Sequence, residues 1–61
     1  MYITVDDVEQ KCVIFLESGE KVADAKENAF RILDLFGLRV TASLTVYDAS
    51  GSIAFHIPNG Q

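Results

Sequence analysis

A chain of 61 residues has room for one domain, which buries only roughly 60% of the surface that its unfolded form exposes and is therefore marginal on its own core. A single cysteine, Cys12, excludes an internal disulfide, and with His56 the only histidine there is no Cys/His set at metal-ligand spacing, which leaves association as the usual remaining support for so small a scaffold. Five basic against nine acidic residues, net −4, argue against a general electrostatic hold on nucleic acid, and no run approaches the ~18 apolar residues of a membrane span.

Met-Tyr-Ile-Thr-Val opens the chain without a basic stretch before a long apolar run, and Asp6 and Asp7 follow at once, so no secretory or transit peptide is expected. With one unpaired thiol, the reducing cytoplasm is the expected compartment. Residues 2–5 form a short β-type run, and the polar stretch Asp6 to Gln10 reads as a loop. Residues 11–17 are apolar on both alternating sets, Cys12, Ile14 and Leu16 on one and Val13 and Phe15 on the other, as in a strand interior to a sheet or covered on both faces.

Ser18 is a candidate N-cap for a helix over 19–36, with an acid in its first turn where the helix dipole favours it. Val22, Ala25, Ala29, Ile32, Leu33 and Phe36 fall on one stripe at 100° per residue, and Gly37 sits where a left-handed residue closes a helix. Glu27 and Arg31 add an i,i+4 pair on the solvent side. Phe30 and Leu35 lie about 110° to either side of the stripe, at the helix flanks.

Residues 38–47 alternate, with Leu38, Val40, Ala42, Leu44 and Val46 inward and Arg39, Thr41, Ser43, Thr45 and Tyr47 outward. Asp48-Ala49-Ser50-Gly51 supplies turn chemistry before a strand over 52–57. A four-residue loop pairs Val46 with Ile53, Leu44 with Phe55 and Ala42 with Ile57, all six on one face, and sets His56 opposite Ser43. Pro58 cannot donate to a ladder, so the strand stops there and 58–61 reads as a short tail. The predicted fold is α+β, ββαββ: one domain over 1–61, an antiparallel-rich sheet of about four strands with one amphipathic helix on one face.

One helix covers one side only. The other face is expected to present Val13 and Phe15, with Tyr2 and Thr4, and the outward set Ser43, Thr45, Tyr47, Ala54 and His56. Such a mixture on a small domain commonly marks an interface. Val13, Phe15, Thr45, Tyr47 and His56 are the candidate interface residues there, and Phe30 and Leu35 the candidates on the helix.

Little in the sequence carries chemistry. Gly-rich phosphate loops, paired-cysteine motifs and zinc spacings are absent, and the Ser43, His56 and Asp48 of one hairpin lack the concave, dry setting of a nucleophilic triad. Neither catalysis nor a cofactor nor a metal is expected. Cys12 alternates with Ile14 and Leu16 and should point to the helix side as a small hydrophobe. The acids Asp6, Asp7, Glu9, Glu17, Glu20, Asp24 and Glu27 crowd the first half of the chain and are expected to gather at one acidic end, with Asp6, Asp7 and Glu9 in one loop that lacks a calcium framework.

A helix with Ala25 and Ala29, then a strand, an Asp-x-x-Gly turn and a strand, is similar over Ser18 to Ile57 to several small bacterial ββαββ domains, antitoxin-like ones among them. The pattern is generic and assigns no family. Three functions are weighed. The first is a non-catalytic protein-interaction and regulatory module, a homodimer that docks on a macromolecular partner. The second is an inhibitor whose acidic end mimics nucleic acid and blocks an enzyme that handles it. The third is a dimeric, antitoxin-like nucleic-acid-binding regulator using Arg39, Lys11, Tyr47 and Phe15, which the acidic balance disfavours.

Overall fold

A computed structural model describes residues 1–39 and 41–58 of the chain. Strand β1 (Tyr2–Asp6), strand β2 (Lys11–Phe15), helix α1 (Val22–Leu35), strand β3 (Ser43–Tyr47) and strand β4 (Ile53–Ile57) follow in that order, the expected ββαββ arrangement. The four strands form one mixed sheet in the order β1-β2-β3-β4. β1 with β2 and β3 with β4 are antiparallel; β2 and β3 are parallel. The reason is connection length. Only the segment containing α1 is long enough to return the chain to the same end of the sheet, whereas the other two connections are tight turns.

The strand that is apolar on both sides, β2, is central, as its composition requires. Cys12, Ile14 and Leu16 turn toward α1 and are buried with Ala25, Ala29, Leu33, Leu38, Ala42, Leu44 and Val46. Ala25 and Ala29 are wholly buried, so the helix backbone comes close to the sheet, over β2 and β3. Desolvation in this core pushes the Cys12 thiol pKa up, as befits an unreactive small hydrophobe.

Several expected boundaries are corrected, and β2 ends at Phe15 rather than at 17. The helix begins at Val22 behind Lys21, without a side-chain cap, and not at 19 behind Ser18. The Glu20 carboxylate instead folds back on the Glu17 N–H at 2.7 Å and on the Met1 ammonium at 2.9 Å, which holds residues 17–20 in a turn around Gly19 at φ 89°. At the other end Gly37, at φ 69°, forms the expected closure: Gly37 N–H donates to Asp34 C=O at 3.1 Å and Leu38 N–H to Leu33 C=O at 2.8 Å, the Schellman pattern. Phe36 is then past the last helical turn and 60% exposed, off the stripe to which its spacing assigned it.

The third strand starts at Ser43 rather than 38, because Thr41 and Ala42 N–H both donate to Leu38 C=O in a helical turn. Leu38 and Ala42 are both buried, and a spacing of four satisfies a helical turn as well as strand alternation. Val40, expected inward, and the tail residues 59–61 lie outside the described residues.

The hairpin register is also corrected. Leu44 pairs with Ile57, Thr45 with His56 and Val46 with Phe55, two residues from the expected pairing, and a bulge then sets Tyr47 opposite Ile53. A shift of two keeps Phe55 and Ile57 on the helix side, but the bulge turns Ile53 over, and it is 61% exposed. Asp48 drives this. Its Oδ1 accepts the N–H of Ser50 at 2.9 Å and of Ser52 at 3.0 Å, while Gly51 turns at φ 91°.

Leu33→Ala removes a buried side chain from the helix–sheet contact and should cost about 2–5 kcal/mol. That is a large part of the roughly 3–9 kcal/mol of total stability normal for this chain length. At protein concentrations low enough to keep the chain monomeric, Ile53→Ala should cost under about 0.5 kcal/mol, as at other exposed positions. Urea unfolding separates this outcome from the reverse order that an inward Ile53 would give.

The Asp48 pKa is lowered from 3.8 by the Ser50 hydroxyl first and then by the Ser52 N–H, so its contribution is complete above about pH 4 and is lost as pH falls through the folded value. Asp48→Ala should lower the melting midpoint at pH 7 and converge with the unmodified chain in acid. A difference that stays flat down to pH 2 would contradict this role.

Candidate interaction face

The register aligns side chains into rows across the sheet face away from α1. Tyr2 stands opposite Phe15, Phe15 opposite Tyr47 and Tyr47 opposite Ile53, one row crossing all four strands. The next row is Thr4, Val13, Thr45 and His56, and the third begins Asp6, Lys11 and Ser43. The Phe15 and Tyr47 rings are stacked, 5.1 Å between centroids and 11° between planes. Neighbouring strands lie roughly 4.8 Å apart, so in-register partners on adjacent strands meet at stacking distance without adjustment. Tyr2 tilts against Phe15 at 6.2 Å.

Water reaches this row. Tyr2 is 65% and Phe15 45% exposed, while Tyr47, flanked on both sides, is half-buried. In the second row Thr45 Oγ1 and His56 Nδ1 are hydrogen-bonded at 2.9 Å, which fixes the imidazole against the sheet. His56 therefore partners Thr45 and not Ser43 as expected, and the Asp48 carboxylate is spent on its own turn. Among the described residues there is no pocket and no convergence of three metal-binding side chains.

Of the expected interface residues, Val13, Phe15, Thr45, Tyr47 and His56 come together on this face. The two on the helix do not. Phe30 is half-buried against the core with the Arg39 guanidinium 4.4 Å above its ring, and Leu35 is 81% exposed on the helix layer. Ile53 was missing from the expected face because nothing in an alternating run announces a bulge. The cluster Asp-Ala-Ser-Gly-Ser, with several N–H groups for one carboxylate to collect, was the available signal.

Charge on the face is sparse and balanced. Asp6 and Lys11 share the third row. Asp6 Oδ1 accepts the Val8 and Glu9 N–H groups at 3.0 Å, and Lys11 pairs with Glu9 at 3.1 Å, a contact that raises the ammonium pKa. Glu17 and Asp48 stand just past the aromatic row, at the ends of β2 and β3.

The seven acids do not form one acidic end. Asp6, at the end of β1, and Asp7 and Glu9 gather at the β1–β2 turn, and Glu17 and Glu20 lie past the opposite end of β2, where both Glu20 carboxylate oxygens reach the Met1 ammonium, Oε1 at 2.8 Å and Oε2 at 2.9 Å. Five strand residues at about 3.3 Å each keep the two groups apart. The Glu20 pKa is lowered, first by the Glu17 N–H and then by the ammonium, and the ammonium pKa is raised chiefly by Glu20. Asp24 and Glu27 are exposed on α1, with Glu27 3.4 Å from Arg31.

A double-mutant cycle on Phe15→Leu and Tyr47→Leu, read by urea unfolding at fixed protein concentration, should return about 0.5–1.5 kcal/mol of coupling, as stacked aromatic pairs do. Additive effects would mean that the rings merely lie side by side. Compared with known families, curated proteins and solved structures, the chain matches none, and the functional reading rests on the geometry of this face.

Proposed function

We propose that the chain is a non-catalytic protein-interaction module that pairs with a second copy of itself through the open sheet face and docks, as a dimer, on a macromolecular partner. The row Tyr2, Phe15, Tyr47 and Ile53 carries the reading, since it runs unbroken across four strands and has no layer over it. A sheet with apolar side chains on both faces gains by covering the second.

Two features favour a second copy as the cover. A standard interface takes about 800 Å² per partner, about a fifth of the 3947 Å² surface, and a 61-residue chain with a marginal core gains from burial of that kind against a partner. Although the chain carries net −4, the two rows that would form the centre of the contact, Tyr2-Phe15-Tyr47-Ile53 and Thr4-Val13-Thr45-His56, contain no Asp, Glu, Lys or Arg. Stacking of nucleobases on the same rings would bring phosphates beside Glu17 and Asp48, where cations are needed. The lone buried thiol suits a reducing compartment such as the cytoplasm.

Light scattering on a sizing column should give twice the chain mass. Phe15→Glu, placed in the middle of the row, should weaken the pairing by roughly 30-fold or more, as expected of a central aromatic anchor. Tyr2→Glu, at a more exposed edge position, tests the same face with less demand on folding. Leu35→Glu, on the helix layer, should leave the mass unchanged. A monomer at every concentration, or a dimer indifferent to both face substitutions, would sink the reading.

A further inference from the structure

The β4 side of the molecule has an opening of a different kind. β4 is an edge strand, so one side of its backbone has no ladder partner. Natural edges are commonly guarded by charge. Ile53-Ala54-Phe55-His56-Ile57 contains no Asp, Glu, Lys or Arg, whereas the other edge, β1, ends on Asp6. Above β4, α1 does not complete the cover, because it lies over β2 and β3; Phe55 and Ile57 point toward the helix layer yet are only half-buried. An apolar shelf is left between the helix and the edge.

One cation overhangs this shelf, and a second lies over a ring one helical turn along α1. Lys26 Nζ lies 4.2 Å from the centre of the Phe55 ring, and one helical turn on, the Arg39 guanidinium lies 4.4 Å from that of Phe30. Arg39 is held by Asp34 at 3.1 Å and is still half exposed, while Lys26 has no carboxylate within 4.0 Å among the described residues. A cation resting on a ring keeps its remaining N–H donors for an anion. At the opposite margin of the sheet, beside β1, Glu17 and Glu20 gather at the Met1 ammonium, and an acidic partner is repelled there.

We infer that the β4 edge takes up a short extended segment of a partner protein in which an acidic residue stands two positions from apolar ones, so that all of them project from the same face of the added strand. Its backbone continues the sheet, its apolar side chains cover Phe55 and Ile57, and a carboxylate meets Lys26. The bulge at Ile53–Ala54 and the absent N–H of Pro58 confine usable pairing to the last residues of the strand. Such an edge accommodates a few residues of peptide and is too short to join two whole sheets. This extends the docking role proposed above and does not depend on self-pairing, which uses the opposite side of the sheet.

The test is an amide NMR titration of the full chain with three capped heptapeptides: Thr-Val-Thr-Glu-Thr-Val-Thr, which sets valine, glutamate and valine on one face, the same with lysine for glutamate, and the glutamate peptide with proline for the threonine on either side of glutamate. The glutamate peptide should shift the amides of 53–57 and of Lys26, and the other two should bind at least tenfold more weakly. Lys26→Glu should abolish the response, with Lys26→Ala as the milder variant if the spectrum of the first shows loss of fold. Phe15→Glu should leave it intact. Equal binding of the peptides, a response confined to β1 or to the open face, or none at millimolar peptide would overturn the inference. A dimer that ignores the glutamate peptide refutes this site alone, and a monomer that takes it refutes only the self-pairing.

Discussion

Everything in this fold depends on one helix resting on two strands. Ala25, Ala29 and Leu33 meet the buried row of Cys12, Ile14, Leu44 and Val46, and the alanines let the helix settle closely over β2 and β3. A helix is about 10 Å across, and four strands at roughly 4.8 Å spacing are wider than that. The sheet margins are consequently half-covered, with Ile3 and Val5 on one side and Phe55 and Ile57 on the other, and the far face is left without a second layer. Both proposed contact surfaces follow from this shortage of cover.

The parallel pairing of β2 and β3 has a second effect. It places Phe15 directly beside Tyr47, and the flanking antiparallel pairings bring Tyr2 and Ile53 into the same row. Side chains that are far apart in sequence thus become a continuous apolar strip. The charges that give the chain its acidity lie mainly in turns and on the helix, where Asp6 and Asp48 hold local backbone N–H groups and Glu20 holds the Met1 ammonium. Much of the acidity serves local structure, and the strip is left nearly neutral.

The two proposed contacts divide the molecule by chemistry. The open face offers area and aromatic stacking with balanced charge, suited to a surface that meets its own copy. The β4 shelf offers unpaired backbone, a little apolar surface and the Lys26 ammonium over Phe55, suited to a short strand with an acidic residue. Because they use different sides of the sheet, a self-paired molecule would still present both β4 edges, and two weak edge contacts on one dimer would gain from linkage on a bivalent partner.

By itself the sequence determined the element order, the central place of β2, the helical stripe of Ala25, Ala29 and Leu33, the closure at Gly37 and most of the open face. Those features are written in period and in residue type, which act locally: two apolar alternations in one strand, small residues at helical spacing, a glycine at a left-handed turn. What only the tertiary structure decided depends on competition between partners distant in sequence or in space. Glu20 was claimed by the Glu17 N–H and the Met1 ammonium, and the helix began later than its cap suggested. Leu38 and Ala42, four apart, fitted strand and helical turn equally, and closure of the helix selected the turn. Asp48 gathered the N–H groups of Ser50 and Ser52 and slid the hairpin by two residues, and the bulge carried Ile53 to the face that it completes. Period states which residues share a side, while pairing and bulges, set by hydrogen bonds that must be satisfied, decide which side that is.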